Sequence, residues 1–251
     1  MAEIRSSNLR GPILFMTSPK KCILCNNPSV FPLIFKKSYK KLGNRSYIRC
    51  PECDLIFVPE DFHLSPNDEA ARYMLHDNNL SNEGYVNMFM EKIAIIRQYC
   101  PGVISVLDYG CGPEPVLAEL LKRKGLECDV FDPAFFPEYP GRSYDLIIST
   151  EAFEHFRDVM KELRTIRSLL RSGGFLAIMT SLHDSVGNFE EWWYHSDPTH
   201  ICFFSMKTFD WISKQFGFEI IYTNRKNFII FIVKSENNRN IHEGQTADKH
   251  R

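Results

Sequence analysis

The spacing of apolar residues predicts a helix, a buried strand, a tight turn and a second helix in succession. Apolar side chains recur at three- and four-residue steps over residues 85–99, as in an amphipathic helix. The apolar run 104–107 predicts a buried strand, and Gly110 and Gly112 then predict a tight turn. From Pro113 onward the sequence predicts a helix opened by prolines. This order of elements favours an α/β nucleotide-binding fold.

An acidic residue follows the glycine turn at the spacing of nucleotide-binding sites. Asp132 stands about 20 residues after the turn, at the end of the next predicted strand, where a carboxylate can bind ribose hydroxyls. A dinucleotide site also needs a third glycine, but Glu114 and Pro115 occupy that place. Because a carboxylate repels a pyrophosphate, the pattern favours a ligand without phosphate groups.

The segment Asp108-x-Gly110-x-Gly112 resembles the first motif of class I S-adenosylmethionine-dependent methyltransferases. The resemblance continues through residues 144–151, 154–156 and 170–176, and it covers roughly residues 82–235. A generic α/β fold with an accidental glycine turn is the alternative, but several segments in the right order favour the family. The resemblance implies a Rossmann-like α/β sheet, S-adenosylmethionine as cofactor, and a cofactor site formed by Asp108, Tyr109, Gly110, Cys111, Gly112, Asp132, Pro133, Thr150 and Glu151.

Three hydrogen-bonding side chains precede the predicted helix at 85–99, which in this family often lies as a lid over the cofactor. Tyr73, His76 and Asn78 have no evident role in an apolar core. We interpret them as contacts to the cofactor or the substrate. A hydrogen-bonded turn is the alternative interpretation.

The region after Asp132 departs from the family pattern because it is short. Twelve residues separate Asp132 from Asp145, and three of them are prolines. A helix and a third strand need about twice that length, so we expect a sheet of fewer than seven strands. The acidic residue that usually holds the adenine amine has no clear counterpart, and Phe135 or Phe136 is a candidate to stack on the adenine.

Candidate catalytic residues are predicted at the carboxyl ends of the strands, where such folds place their chemistry. His155 follows the fourth strand of the family pattern. The segment Asp197-Pro-Thr-His200 resembles one that lines the acceptor pocket of several small-molecule methyltransferases. Histidine can accept a proton near pH 7, so His155 is the first candidate for the base and His200 the second, with Asp197 as a further catalytic residue.

Neighbouring residues leave two alternatives open. A metal site is conceivable from His183, Asp184, His195 and His200. Because no regular element fixes ligand geometry in this proline-containing loop, hydrogen bonding and proton transfer are favoured instead. The aromatic residues Trp192, Trp193 and Tyr194 either form a wall against a flat acceptor ring or pack the loop onto the core.

Four cysteines form two C-x-x-C turns in the N-terminal part of the chain. Cys22 and Cys25 make the first turn, and Cys50 and Cys53 make the second, with 24 residues between the two turns. Two such turns can close a tetrahedral sulfur site around zinc, and the stretch between them alternates as hairpin strands do. The pattern predicts a zinc ribbon that needs its metal to fold, because about fifty residues bury little core. A redox dithiol pair is the alternative.

Charge is distributed unevenly between the two parts of the chain. The first 53 residues hold ten Lys or Arg and two acidic residues, a net charge of +8, and the remaining 20 Lys or Arg and 29 acidic residues give −9. A positively charged ribbon can bind RNA phosphates, whereas lysine-rich solvated strands are the alternative. The lysines concerned are Lys20, Lys21, Lys36, Lys37, Lys40 and Lys41.

The whole chain is similar to bacterial methyltransferases that carry an N-terminal four-cysteine domain. We expect a zinc ribbon at 1–60, a methyltransferase domain at 61–235 and a disordered tail at 236–251, and methyl transfer to an oxygen or nitrogen of a small-molecule acceptor. RNA methylation is the alternative. Ribosomal RNA guanine methyltransferases also begin with a zinc finger, and residues 84–87 of this chain resemble the segment that follows that finger. The finger of those enzymes, however, uses a histidine and has closer ligand spacing. A cofactor-binding partner protein without catalysis is the second alternative.

Composition predicts a cytoplasmic protein without a membrane segment. Hydrophobic residues make up 44% of the chain, yet no apolar run reaches the ~18 residues that span a bilayer. The first residues lack the apolar core of a signal peptide, so the eight cysteines are expected as thiols and metal ligands rather than disulfides. The oligomeric state stays open.

Overall fold

A computed structural model describes residues 21–33, 38–39, 43–75 and 78–234, which form five α-helices and twelve strands. The strands are β1 (Phe31–Leu33), β2 (Ser38–Tyr39), β3 (Gly43–Asn44), β4 (Tyr47–Arg49), β5 (Ile56–Phe57), β6 (Ser105–Tyr109), β7 (Glu127–Phe131), β8 (Tyr144–Thr150), β9 (Leu170–Met179), β10 (Cys202–Phe203), β11 (Phe218–Thr223) and β12 (Phe228–Val233). The helices are α1 (Pro66–Tyr73), α2 (Glu83–Tyr99), α3 (Val116–Arg123), α4 (Val159–Leu169) and α5 (Met206–Phe216). The predicted tail at 236–251 lies outside the described residues.

The central sheet has six strands in the order β11–β12–β9–β8–β6–β7. β9, β8, β6 and β7 run parallel, whereas β12 and β11 are antiparallel to their neighbours. The prediction of a mostly parallel α/β sheet with fewer than seven strands is confirmed. Between β7 and β8 the chain makes only a single bridge, from Asp132 to Phe136, because this segment is too short for a helix and a returning strand.

Alternate side chains of the sheet pack against helices on its two faces. Leu146 and Ile148 of β8 share a core with α2 and α3, whereas Ile147 belongs to the core that includes α4 and α5. A parallel sheet covered on both faces requires this alternation of apolar side chains. The predicted amphipathic helix at 85–99 is α2, which buries Phe89 and Ile93 against the sheet. None of the helices in the described ranges is long and apolar enough to cross a membrane.

A second sheet, in the order β1–β4–β5–β10, joins the cysteine-rich segment to the α/β part of the chain. β1 and β4 pair antiparallel, as the predicted hairpin requires. β5 pairs antiparallel with β10, so that Ile56 lies opposite Phe203 and Phe57 opposite Cys202. The division into domains at residue 60 stays a prediction, and the two parts share this sheet and one apolar core.

Arg45, next to β4, reinforces this junction from within. The residue is 1% exposed, although its charge counts toward the basic face predicted for the ribbon. Its guanidinium donates to the carbonyl oxygens of Asp197 and His200 at 3.4 and 3.2 Å. A buried guanidinium needs such acceptors, so Arg45 ties the ribbon to the loop that carries His200.

We expect Gly110→Ala to lower the free energy of unfolding more than Gly125→Ala does. Both glycines have a left-handed φ, +80° and +84°, so either alanine costs about 1–2 kcal/mol. A Cβ at residue 110 would also lie 2.6 Å from the Cβ of Ala152, whereas one at residue 125 meets no atom within 4 Å. That clash adds about 1–3 kcal/mol. Urea titrations measure both losses, and equal losses would contradict tight packing at the glycine turn.

Candidate active site

The predicted cofactor side lies at the carboxyl ends of β6 and β7, where backbone hydrogen bonds tie the glycine turn to the second strand. The amides of Gly110 and Cys111 donate to the carbonyl of Phe131 at 2.8 and 3.3 Å. The amide of Gly112 donates to Oδ2 of Asp132 at 3.0 Å. Asp132 therefore lies beside the glycine turn, at the place that its spacing predicts.

The carboxylate of Asp132 also organises the loop that follows β7. Its Oδ1 accepts hydrogen bonds from the amides of Ala134 and Phe135 at 2.9 and 3.2 Å. The ring of Phe135 then lies 6.5 Å from that of Tyr73, measured between centroids. Because a carboxylate has about four lone-pair positions and three are used, one is left for a ribose hydroxyl.

Asp108 places a buried carboxyl group two residues before the glycine turn. The residue is 1% exposed, and its Oδ1 has no hydrogen-bond partner within the described part of the chain. Burial raises the pKa of this carboxyl to about 7, a backbone hydrogen bond at Ala118 opposes the rise, and the charge of Asp132 adds to it. A buried acceptor without a partner fits a ligand that brings an N–H donor, such as the amino group of S-adenosylmethionine.

Glu151, directly after β8, has a strained backbone conformation. Its φ of 49° lies in the left-handed region, which residues other than glycine rarely adopt outside functional sites and turns. Its Oε2 accepts a hydrogen bond from the hydroxyl of Tyr194 at 3.3 Å. Desolvation of its carboxyl group, followed by the neighbouring carboxylate of Glu154, raises the pKa of Glu151 well above its ordinary value, although the residue as a whole is exposed. The site thus holds a second carboxyl group next to the predicted methyl donor.

His155 and His200, the two predicted bases, face each other on the acceptor side. Their ring centroids are 4.9 Å apart. Nδ1 of His155 hydrogen-bonds to the carbonyl of Thr199 at 3.0 Å, and Nδ1 of His200 to the carbonyl of Tyr194 at 2.7 Å. Burial lowers the pKa of His200 to about 4, so its ring is neutral at pH 7. Tyr73 of α1 packs edge-on against His155 with 5.2 Å between centroids.

Glu154 and Tyr194 form a buried pair beside these histidines. The Glu154 residue is 0% exposed, and its Oε1 accepts a hydrogen bond from the Tyr194 hydroxyl at 2.5 Å. The other oxygen, Oε2, has no hydrogen-bond partner among the residues that the structure describes. Trp192 stacks on Tyr194 at 4.9 Å, which places both rings in the core. Neither residue is predicted to be catalytic from the sequence. Glu154 is placed in the family motif at 154–156, and Tyr194 is named only as an aromatic residue that could pack against the acceptor.

Asp197 shapes the loop that carries His200. Its Oδ1 accepts from the amide and hydroxyl of Thr199 at 2.9 and 2.6 Å. Its Oδ2 accepts from the guanidinium of Arg72 at 3.2 and 2.9 Å. Burial opposes ionisation, but the hydrogen bonds from Thr199 and Arg72 hold the pKa of this carboxyl well below its ordinary value. These contacts give Asp197 a positioning role, and its predicted catalytic role stays a prediction.

The remaining residues of the polar loop do not converge with His200. Nε2 of His183 bonds to the carbonyl of Asp54 in the ribbon at 2.9 Å, and Nε2 of His195 bonds to the carbonyl of Glu190 at 3.2 Å. Trp193 is 71% exposed. The metal site conceivable from the histidines of this loop is therefore not assembled, in line with the favoured hydrogen-bonding interpretation.

The three residues predicted before α2 have different outcomes. Tyr73 lies between Phe135 and His155, within the site. Asn78 is half-buried between α1 and α2, and His76 lies outside the described residues. The sequence pattern assigns Tyr85 of α2 only to an apolar helix face, but burial and the charges of Asp108 and Glu151 raise the pKa of its hydroxyl.

The four ribbon cysteines bring their sulfur atoms close enough to share one metal ion. Sγ of Cys22 lies 3.6 Å from that of Cys53, and Sγ of Cys25 lies 3.4 Å from that of Cys50. All four sulfurs lie within 4.8 Å of one another. A tetrahedron with zinc–sulfur bonds of ~2.3 Å has edges of about 3.8 Å, so the thiols fit zinc.

Comparisons with known proteins point to one family. The family model described as a methyltransferase domain matches residues 84–223, more than half of the 251 residues. A comparison with curated proteins finds no match.

Several solved structures resemble the chain at low identity. An O-methyltransferase family protein from Burkholderia thailandensis is 15% identical with a TM-score of 0.49, and the alignment covers 67% of this chain and 63% of that one. A SAM-dependent methyltransferase from Archaeoglobus fulgidus is 18% identical with a TM-score of 0.44, covering 59% and 94%. A methyltransferase in complex with the Haloferax volcanii Trm112 activator is 13% identical with a TM-score of 0.47, covering 66% and 98%. The chain thus spans less than two thirds of the Burkholderia protein.

We expect one zinc ion per chain, bound by the ribbon cysteines. Cys50→Ser should lose zinc and unfold the ribbon strands, because so small a segment depends on metal for its stability. Cys100→Ser is the matched control, since Cys100 is also buried but lies outside the ribbon. Elemental analysis of untagged protein measures the metal. Protein without zinc or iron, or the same zinc content in both variants, would contradict the prediction.

Proposed function

Because the chain belongs to the methyltransferase-domain family, we propose that it transfers the methyl group of S-adenosylmethionine to an oxygen or nitrogen atom of a small-molecule acceptor. The observation that carries this proposal is the juxtaposition of His155 and His200 beside the buried Glu154, in segments that follow the parallel strands. An imidazole can take a proton from a hydroxyl or an N–H group, and the lowered pKa of His200 makes it the weaker of the two bases.

On the donor side, the glycine turn and three carboxyl groups would hold S-adenosylmethionine. Asp132 has a lone pair for a ribose hydroxyl, and Asp108 has an unpartnered oxygen for the amino group. When bound, this donor supplies a methyl group that its positive sulfonium already activates. A cation favours the ionised form of a nearby carboxyl group, so the raised pKa values of Asp108 and Glu151 suit a cationic ligand.

On the acceptor side, the surroundings suit a small molecule better than a polyanion. The groups that face the histidines are the ring of Tyr73 and the buried pair Glu154 and Tyr194. Aromatic rings and buried acids can hold a flat or hydroxylated molecule, whereas carboxylates repel a phosphate backbone.

The histidine pair would assist removal of the acceptor's proton. A backbone carbonyl only accepts hydrogen bonds, so each Nδ1 that faces one carries the hydrogen, and Nε2 keeps a lone pair. We place His155 first and His200 second in this role. Asp197 holds the loop and, being ionised and fully bonded, shapes the site without exchanging a proton.

RNA methylation is the alternative that an experiment must separate. Two basic residues of the ribbon are not available to bind RNA phosphates, which weakens the RNA alternative. Arg45 is buried, and Arg49 pairs with Asp54 at 2.8 Å. Lys21 is exposed, while Lys20, Lys36, Lys37, Lys40 and Lys41 lie outside the described residues. Because the −9 remainder of the chain contains the site, a polyanion would be repelled near the chemistry.

The ribbon has a structural part in this proposal. Four sulfur ligands leave zinc no open position, so the metal would stabilise the fold and take no part in methyl transfer. All eight cysteines are free thiols, which suits a reducing compartment such as the cytoplasm.

Asp132→Ala should weaken S-adenosylmethionine binding by about 1.5–3 kcal/mol, roughly 10–150-fold, because hydrogen bonds to a charged group are lost. Asp129→Ala is the control, because Asp129 is a carboxylate on β7, the strand just before Asp132, and it bonds to Arg142 and Tyr144 instead. Calorimetry measures both affinities, and thermal melting separates a binding loss from an unfolded loop. Unchanged affinity in Asp132→Ala would remove this residue from the donor site.

Methyl-labelled cofactor added to cell lysate with the protein should label the small-molecule fraction, and His155→Ala should lower that labelling by about 10²–10⁴-fold. Labelled RNA, together with RNA binding that falls steeply with salt, would favour RNA instead, because each neutralised phosphate releases counterions. Cofactor binding without labelling of any fraction would favour a partner protein without catalysis.

A further inference from the structure

Glu154, His155 and His200 form a second ligand set besides the ribbon thiols, and we propose that they bind one divalent transition-metal ion. One ligand atom from each of the three residues lies within 4.8 Å of the other two. Glu154 and His155 come from the turn after β8, and His200 comes from the loop before β10. The fold therefore assembles this set from two segments that are far apart in sequence.

The hydrogen bonds of the two histidines prepare them as ligands. His155 uses Nδ1 for the carbonyl of Thr199, and His200 uses Nδ1 for the carbonyl of Tyr194. Both Nδ1 atoms must be donors, so in the neutral ring, the form that binds a metal, each Nε2 carries the lone pair. Histidines that bind metals almost always donate their other ring N–H to a carbonyl, a carboxylate or water in this way.

The carboxylate of Glu154 supplies the third ligand. Its side chain is fully buried, Oε1 accepts from the Tyr194 hydroxyl, and Oε2 has no hydrogen-bond partner in the described part of the chain. A buried carboxylate oxygen without a partner is costly, and a cation between Oε2 and the two imidazoles would remove that cost.

Tyr194 positions two of the three ligands at once. Its hydroxyl holds Glu154 and its carbonyl holds His200, while its ring lies 4.2 Å from the His200 ring. Outer contacts of this kind fix the direction of ligand atoms in metal sites. The packing of Tyr194 under Trp192 keeps both contacts in place.

The ligand types indicate the class of metal. Two imidazoles and one carboxylate suit zinc, iron(II), cobalt or manganese, whereas magnesium and calcium prefer oxygen ligands alone. Three protein ligands leave at least one position open for water or an acceptor atom, in contrast to the closed four-sulfur ribbon.

Cation binding at this site does not depend on the proposed function. What the cation would do to the acceptor deepens the proposed function and rests on it. An acceptor hydroxyl at the open position would lose its proton to water more readily, because a divalent cation lowers the pKa of a bound hydroxyl. The oxygen lone pair would then form the bond to the methyl carbon, and the electron pair of the carbon–sulfur bond would stay on sulfur. His155 and His200 would thus act on the proton through the cation.

Equilibrium dialysis of the full chain against cobalt(II), followed by elemental analysis, tests the site. The soft thiolates of the ribbon retain zinc, because zinc binds more tightly than cobalt. The amount of bound cobalt therefore measures occupancy of the second site. We expect one zinc and one cobalt ion per chain. Tyr194→Phe keeps the carbonyl on His200 but removes the hydroxyl from Glu154, and it should weaken cobalt binding about 10–100-fold. Glu154→Gln and His200→Gln, which remove ligands, should weaken it further with zinc unchanged.

His195→Gln is the matched control, because His195 is a buried histidine of the same loop whose Nε2 bonds to the carbonyl of Glu190. It should bind cobalt as the unaltered chain does, and thermal melting shows which variants are folded. If His200→Gln is unfolded, the isosteric Glu154→Gln carries the test.

The outcomes separate this site from the proposed function. At millimolar cobalt, an unaltered chain with neither cobalt nor a second zinc ion, or equal metal content in Glu154→Gln, would overturn the metal site. Cobalt binding without methyl transfer would support the site and count against the proposed function. Methyl transfer by a chain that binds no cobalt would support the proposed function and count against the metal site.

Discussion

The antiparallel pairing of β5 with β10 joins the cysteine ribbon to the loop that carries His200. Between β9 and β10 the chain forms only short 3₁₀ turns, so this loop has little regular structure to hold it. Arg45 adds hydrogen bonds from a buried guanidinium to the carbonyls of Asp197 and His200. Because a buried charge must keep its acceptors, Arg45 and the loop stabilise each other. The position of His200 therefore depends on a folded ribbon, and through it on the four cysteines.

Buried acidic groups are the second constraint, and they meet where the ribbon-held loop closes on the sheet. Asp108 and Glu154 are almost completely buried, and each has one carboxyl oxygen without a hydrogen-bond partner within the described residues. Such groups cost free energy in a folded chain unless a ligand offsets the cost. A cationic methyl donor beside Asp108 and Glu151, and a metal ion beside Glu154, would each supply opposite charge. The positive charge of the proposed ligands would thus compensate the negative charge of the carboxyl groups that the fold collects at this site.

Local patterns predict the fold and the family well, because they act over short distances. The glycine turn, the carboxylate of Asp132 and the helical spacing of α2 each involve neighbouring residues, and the family match confirms the methyltransferase that they indicate. The short segment between β7 and β8 predicts the loss of a strand by length alone, and the six-stranded sheet confirms it. The resemblance also marks His155 and His200 as candidates, but it leaves open whether they meet.

The amino-acid sequence by itself determined the order of strands and helices, the two cysteine turns and the residues able to take part in chemistry, since spacing and residue type suffice for these. Only the tertiary structure decided which of them converge. It buries Arg45, which the sequence counts as surface charge, and it turns Tyr194 from a possible wall into the residue that holds Glu154 and His200. It also directs His183 toward the ribbon instead of the site. The physical reason is that the fold brings the partners of these side chains to them from distant segments. Arg45 and His183 make their contacts between the ribbon and the α/β part, and Tyr194 reaches Glu154 from 40 residues away, so no periodicity within one segment records them.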